Sequence, residues 1–222
     1  FNFSSKLNNV SYFNMAAALA ITFSTRNPNL DFRNTFGWFS SEFAICGRSK
    51  YINTAPNQHV AGSEFQQNVP DHTILSEKDS FSTNFKRFSQ ANPGRISSTN
   101  IGASFEYFVD LVENKNYNVE DLPQALLFIT DWEYNHGKSL EDCFRHAYGI
   151  GWHPLVIFWC LQQIPDRAKR EIIDKNLPNC LLVGGLNEGV LSQVLRGIKG
   201  GSINPEEELW SISEDVRYST VL

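Results

Sequence analysis

A chain of 222 residues suits one domain that buries about 70% of the surface its unfolded form exposes. With 41% hydrophobic and 19% charged residues it reads as a folded globular domain, and a formal charge of −5 disfavours broad tracking of phosphate backbones. No stretch approaches about 18 consecutive apolar residues, so no membrane-spanning helix is expected.

Along the chain, Phe1 to Leu7 reads as the tail of a strand running into a polar turn. Val10 to Thr25 carries Phe13, Ala16, Ala17, Ala20 and Ile21 at helical spacing and stops at Asn27-Pro28. Asn34 to Ser40 and Phe43 to Cys46 predict two strands of a hairpin around Ser40-Ser41-Glu42. Residues 47–78 show no sustained period beyond an irregular strand near His72–Ile74.

A helix is expected over Lys78–Gln90, ended by Asn92-Pro93-Gly94. Ser97-Ser98-Thr99-Asn100 then introduces an amphipathic helix marked by Ile101, Phe105, Phe108, Val109 and Val112. Leu126 to Thr130 is a continuous apolar run broken abruptly by Asp131, the pattern of a parallel strand buried on both faces. A helix at Leu140–Tyr148 and a second buried strand at Pro154–Cys160 follow. Asp166–Lys175 reads as a charged surface helix behind Pro165, and Asn179–Val183 as a third buried strand closed by Gly184-Gly185. Helices around Val190–Leu195 and Pro205–Thr220, the latter with Trp210 and Val216 on its apolar side, complete the pattern. Strands alternating with helices in this way predict an α/β, doubly wound, mainly parallel sheet with helices on both faces.

Ligands in open α/β sheets sit beyond the carboxyl ends of strands, and Asp131 falls there; the competing reading is that it caps the next turn. His136, His146 and His153 with Asp131 and Glu133 match no two-on-one-face ligand spacing. Gly184-Gly185 lacks the spacing of a phosphate loop and reads as a tight turn. No Gly-x-Ser-x-Gly elbow occurs. The cysteines, Cys46, Cys143, Cys160 and Cys180, form no CxxC pair and read as buried thiols of a reducing compartment. Trp38, Trp132, Trp152 and Trp210 lie beside strand ends or on a helix and are candidate interface anchors.

Several segments together resemble the von Willebrand A-like half of two related groups, an uncharacterised viral, fungal and plant family and the Ro (TROVE) RNA-binding proteins. These are Thr35-Phe36, Phe39-Ser40, Thr99-Asn100-Ile101 with Phe105, Ile129-Thr130-Asp131-Trp132-Glu133, Pro154 to Trp159, and Asn204-Pro205 through Tyr218. The resemblance implies a six-stranded sheet ordered third, second, first, fourth, fifth, sixth. Its strands would lie near 1–4, 34–40, 125–131, 154–160 and 179–183, with 43–46 as an antiparallel edge. It also implies one domain over 1–222, part of a longer chain in which a helical-repeat region precedes it.

Such domains hold Mg²⁺ at an Asp-x-Ser-x-Ser motif, a later Thr and a later Asp. Carried onto this chain, the ligands would be Asn2, Ser4, Thr99 and Asp131, with Lys6 where the second Ser belongs. Replacing a carboxylate by Asn2 and a hydroxyl by the Lys6 ammonium changes the local charge by about two units. The metal site is therefore expected to be degenerate, with no cofactor and at most weak Mg²⁺, and the Lys6 ammonium is expected to stand near Asp131. The function expected is a non-catalytic protein-interaction module, cytoplasmic or, for a viral source, virion-associated. Its partner would meet Lys6, Ser40 and Trp132 at the strand carboxyl edge, so that Lys6→Glu and Trp132→Ala weaken binding without loss of thermal stability. The alternatives are a Ro-like RNA-associated module, disfavoured by charge, and a metal-dependent hydrolase using Asp131 and Glu133, which lacks a nucleophile.

Overall fold

The computed structural model describes residues 6–7, 10–39, 43–47, 75–91, 99–132, 137–186 and 189. The first described segment is a two-residue antiparallel ladder of β1 (Lys6–Leu7) with β2 (Val10–Ser11). Ser11 then caps α1 (Tyr12–Thr25), its hydroxyl accepting from Asn14 N at 3.1 Å. β3 (Phe36–Phe39) pairs antiparallel with β4 (Phe43–Cys46), from Phe36↔Cys46 to Phe39↔Phe43.

Ser80 caps α2 (Phe81–Ala91) by accepting from Thr83 N, and buried Asn84 closes the preceding turn by bonding both backbone groups of Ser76. α3 (Gly102–Lys115) ends on Asn116 in the left-handed conformation. A 3-10 turn at Val119–Asp121 leads to β5 (Ala125–Thr130). Then come α4 (Leu140–Gly149), β6 (Leu155–Cys160), α5 (Asp166–Lys169) running into a π-helical turn at Arg170–Asp174, and β7 (Cys180–Gly184).

β5, β6 and β7 form one parallel sheet in that order, in register from Ala125↔Leu155 and Val156↔Cys180. Side chains alternate across a strand, so each strand feeds two layers. Leu155, Ile157, Trp159 and Val183 pack toward α1, against Ala16 with Tyr12, Met15, Leu19 and Phe23 around it. Phe128, Val156, Phe158 and Cys160 pack the other way, against α3, α4 and the α5 turn through Phe105, Leu111, Phe144, Ala147, Ala168 and Ile172. Every residue of β6 is buried, which is why its sequence is apolar without alternation. Burying one such side chain stabilises the fold by about 1.5–3 kcal/mol.

The β3–β4 hairpin divides in the same manner. Phe36, Trp38 and Cys46 face α1 and α2, through Ala17, Ile21 and Phe88, while Phe39, Phe43 and Ile45 join the α3 layer. Phe39 meets Phe128 of β5 edge-to-face at 5.7 Å.

The parallel order of the last three strands, the antiparallel pairing of 43–46 and the helices on both faces match expectation. The continuous six-stranded sheet does not. Among the described residues there are three separate ladders, and the hairpin meets β5 through ring packing without backbone pairing. The expected strand at 1–4, the strand near 72–74 and the helices at 190–195 and 205–220 lie outside the described residues. Lys6-Leu7, expected in a turn, instead pairs back onto Val10-Ser11. The surface helix at 166–175 widens into a π turn that buries Ile172 and leaves Ile173 exposed.

Candidate functional site

α3 runs against β5: its carboxyl end leads through 116–124 into the start of that strand, where Trp152 Nε1 also donates to Pro123 O at 2.9 Å. The start of α3 therefore lies at the carboxyl edge. Asn100 caps it, its side-chain oxygen accepting from Ala103 N at 3.1 Å.

The same carboxamide lies against Gly137, beyond the end of β5. A Cβ at Gly137, where φ is +93°, would overlap the Asn100 side chain. A Cβ at Gly102 would lie 2.9 Å from Cys143 Sγ and 3.3 Å from Asn100 Oδ1. Lys138 and Glu106 add an ion pair of 2.9 Å across the junction, and that bond to the Glu106 carboxylate holds the Lys138 ammonium pKa above its ordinary value. The entry to α3 and the chain following β5 are thus clasped together, with Thr99 on one side and Asp131 on the other.

β5 ends at Thr130, whose buried hydroxyl accepts from Trp132 N at 2.9 Å. Asp131 is partly exposed. Trp132 has φ of +65°. Its indole is 3% exposed and meets Phe158 edge-to-face at 4.8 Å. Expected as a surface anchor, this ring belongs to the core, because the left-handed turn at Trp132 carries it back under the edge. The expectation that truncating it spares stability is corrected accordingly: a buried Trp→Ala change costs about 3–5 kcal/mol.

Of the other residues singled out by sequence, Thr99 is half-buried at the start of α3. Asn2, Ser4 and Ser40 lie outside the described residues. Lys6 is described through its pairing with Ser11, and its approach to Asp131 lies outside what is described. His146 bonds Glu113 at 3.2 Å, and the ring of His153 lies 4.3 Å from that of Tyr148. A shallow groove lined by Lys138, Asp142, Arg145, His146 and Gly149 runs along α4, but its charges pair with Glu106, with Asp142 and Glu141, and with Glu113.

Burial pushes the Cys160 thiol up to about 12, with the nearby Asp131 carboxylate adding to the shift. Burial likewise raises Cys143 to about 12, reinforced by Glu106 and opposed by Lys138. Thiols held in this state are poor nucleophiles. Among the described residues no three His, Cys, Asp or Glu side chains gather as a metal-binding group.

At the other end of the edge, Gly185 N donates to both Cys160 O and Gln162 O at 2.9 Å, and Trp159 Nε1 donates to Gly185 O at 2.7 Å. The N–H of Gly185 points inward, as a tight turn requires. Asn100 was read from sequence only as part of the polar stretch that introduces α3, and Gly102, Gly137 and the Glu106–Lys138 pair were not singled out. The available signal was an Asn directly before an apolar-periodic run, the pattern of a helix cap. Compared with protein-family models, with curated proteins and with solved structures, the chain matches none.

Proposed function

We propose that this chain is a non-catalytic protein-interaction module that docks its partner at the carboxyl end of β5. The observation that carries the reading is the clasp at Asn100 and Gly137, which brings the loops bearing Thr99 and Asp131 to one edge. Hydroxyl and carboxylate groups on loops gripped by rigid elements are a usual setting for recognition. The raised thiol pKa values of Cys143 and Cys160 support the non-catalytic part of the reading, since they leave neither as an activated nucleophile.

The resemblance to von Willebrand A-like domains implies Mg²⁺ at this edge. Thr99 and Asp131 are fitting hard-oxygen donors, but an amide at Asn2 and an ammonium at Lys6 in place of a carboxylate and a hydroxyl do not fit the ion. Calorimetric titration with Mg²⁺ is expected to show nothing tighter than millimolar, roughly −4 kcal/mol. Restoring Asn2→Asp with Lys6→Ser should tighten it, and tight Mg²⁺ binding by the parent would contradict this part of the reading.

Affinity capture from the native source tests the docking claim. Tagged parent, Asp131→Asn, Lys6→Glu and an amino-edge control, Glu120→Gln in the exposed 3-10 turn, are compared at matched melting temperature. The expected result is a partner retained by parent and control and lost by both edge variants. Retention by the edge variants with loss from the control would move the docking surface to the opposite edge. Loss of capture on treatment with ribonuclease would favour an RNA-associated module instead.

A further inference from the structure

We propose that the turn from Thr130 to Trp132 is a two-state latch, closed in the form described here and opened by swinging the Trp132 indole out of the core. Two independent features meet at this one residue. The first is its backbone. Among the described residues the non-glycine positions with positive φ are Asn34, Asn116, Asn176, Asn179 and Trp132. Asn tolerates the left-handed region because its short side chain bonds locally, whereas a bulky ring does not.

The second feature is the indole N–H. Trp152 and Trp159 are buried and each donates, to Pro123 O and Gly185 O. Trp132 Nε1 is equally buried and has no acceptor among the described residues. A buried donor left unpaired has given up its water without compensation. Trp38 Nε1 shares that lack, but Trp38 sits in the regular strand β3. Among the described residues only Trp132 combines an unpaired indole with a left-handed backbone.

The closed form is held by the bond from Trp132 N to Thr130 Oγ1 and by the edge-to-face contact with Phe158. Opening relieves both unfavourable features at once: φ returns to the extended region, and the N–H reaches water or an external acceptor. Strain concentrated beside a candidate binding carboxylate is the usual setting of such a device. The latch requires no partner, so it stands or falls apart from the docking proposal.

Indole hydrogen exchange by NMR in the intact chain reads it directly, with each peak assigned by its own Trp→Phe variant. Trp132 and Trp152 are a matched pair, each 3% exposed. The Trp132 N–H is expected to exchange at least about tenfold faster than those of Trp152 and Trp159, with little dependence on low denaturant, as for local opening. Thr130→Val, which removes the acceptor for Trp132 N, should raise the Trp132 rate further. Trp132→Phe should lose less melting temperature than Trp152→Phe, because only the latter breaks an indole hydrogen bond. Exchange as slow as that of Trp152 and rising with denaturant in parallel would overturn the proposal. A Trp132→Phe variant that loses as much stability as Trp152→Phe would do the same, because the two changes remove like volumes and differ in the N–H bond lost.

Discussion

At the β6–β7 end of the carboxyl edge, Gly185 donates to two carbonyls and Trp159 bonds Gly185 O, so backbone and ring groups are satisfied where the sheet stops. At the β5 end, one strand away, the chain turns through a left-handed Trp whose indole has no acceptor among the described residues, and a partly exposed Asp131 precedes it. Both ends follow a mostly apolar strand and both bury a Trp. What separates them is the indole N–H: bonded to Gly185 O at the β7 end, without an acceptor among the described residues at the β5 end. On the proposed reading, the β7 end contributes to stability and the β5 end to docking.

Breaking the sealed end should have the largest effect. Trp159→Ala removes a fully buried ring and its bond, with an expected cost of about 3–5 kcal/mol in chemical denaturation. Trp159→Phe, which keeps most of the ring but strands Gly185 O, should cost about 1–3 kcal/mol. Equal costs for Phe at 132 and at 159 would erase the contrast between the ends.

Gly137→Ala comes next. It forces a Cβ into the Asn100 carboxamide at a positive φ, and about 1–3 kcal/mol is expected, with faster amide exchange on both sides of the clasp. Exchange changes confined to one side would show that the loops are not coupled.

The buried thiol beside Asp131 makes a pH prediction. Cys160 is raised from 9.0 to about 12, so the folded state holds its proton where the unfolded state gives it up. Its contribution is fully present below pH 9 and is lost as pH climbs toward 12, by about 1.4 kcal/mol per unit. Denaturation of parent and Cys160→Ala over that window should converge as pH rises, and curves that stay parallel would contradict the assignment. The smallest effect belongs to the exposed Glu106–Lys138 pair. Glu106→Gln should cost less than about 1 kcal/mol, and less again in high salt.

Much of the frame was legible in the sequence because its cause is local. The β5, β6 and β7 runs are mostly apolar because helices cover both faces, and the starts of α1 to α4 each carry a Ser or Asn that caps them. What was not legible depends on contacts distant in sequence. Phe36 to Cys46 announces a hairpin, but nothing in its alternation says whether it bonds to β5 or only stacks on it. Thr130-Asp131-Trp132 reads as a polar strand end with an amphipathic ring. Only the left-handed turn beneath Phe158 decides that the ring is core, leaving Asp131 as the partly exposed residue of the three. In Ser97-Ser98-Thr99-Asn100 any of four residues could cap α3. Contact with Gly137, far along the chain, makes Asn100 the one that also joins the two loops.

The most direct test of the docking account is hydrogen exchange of the chain with and without its captured partner, followed by peptide mapping. The account predicts slowed exchange over 99–103 and 130–132, with 119–124 at the amino edge and 180–186 at the sealed end unchanged. Protection at the amino edge or over the β7 turn, with 130–132 exchanging as in the free chain, would contradict it.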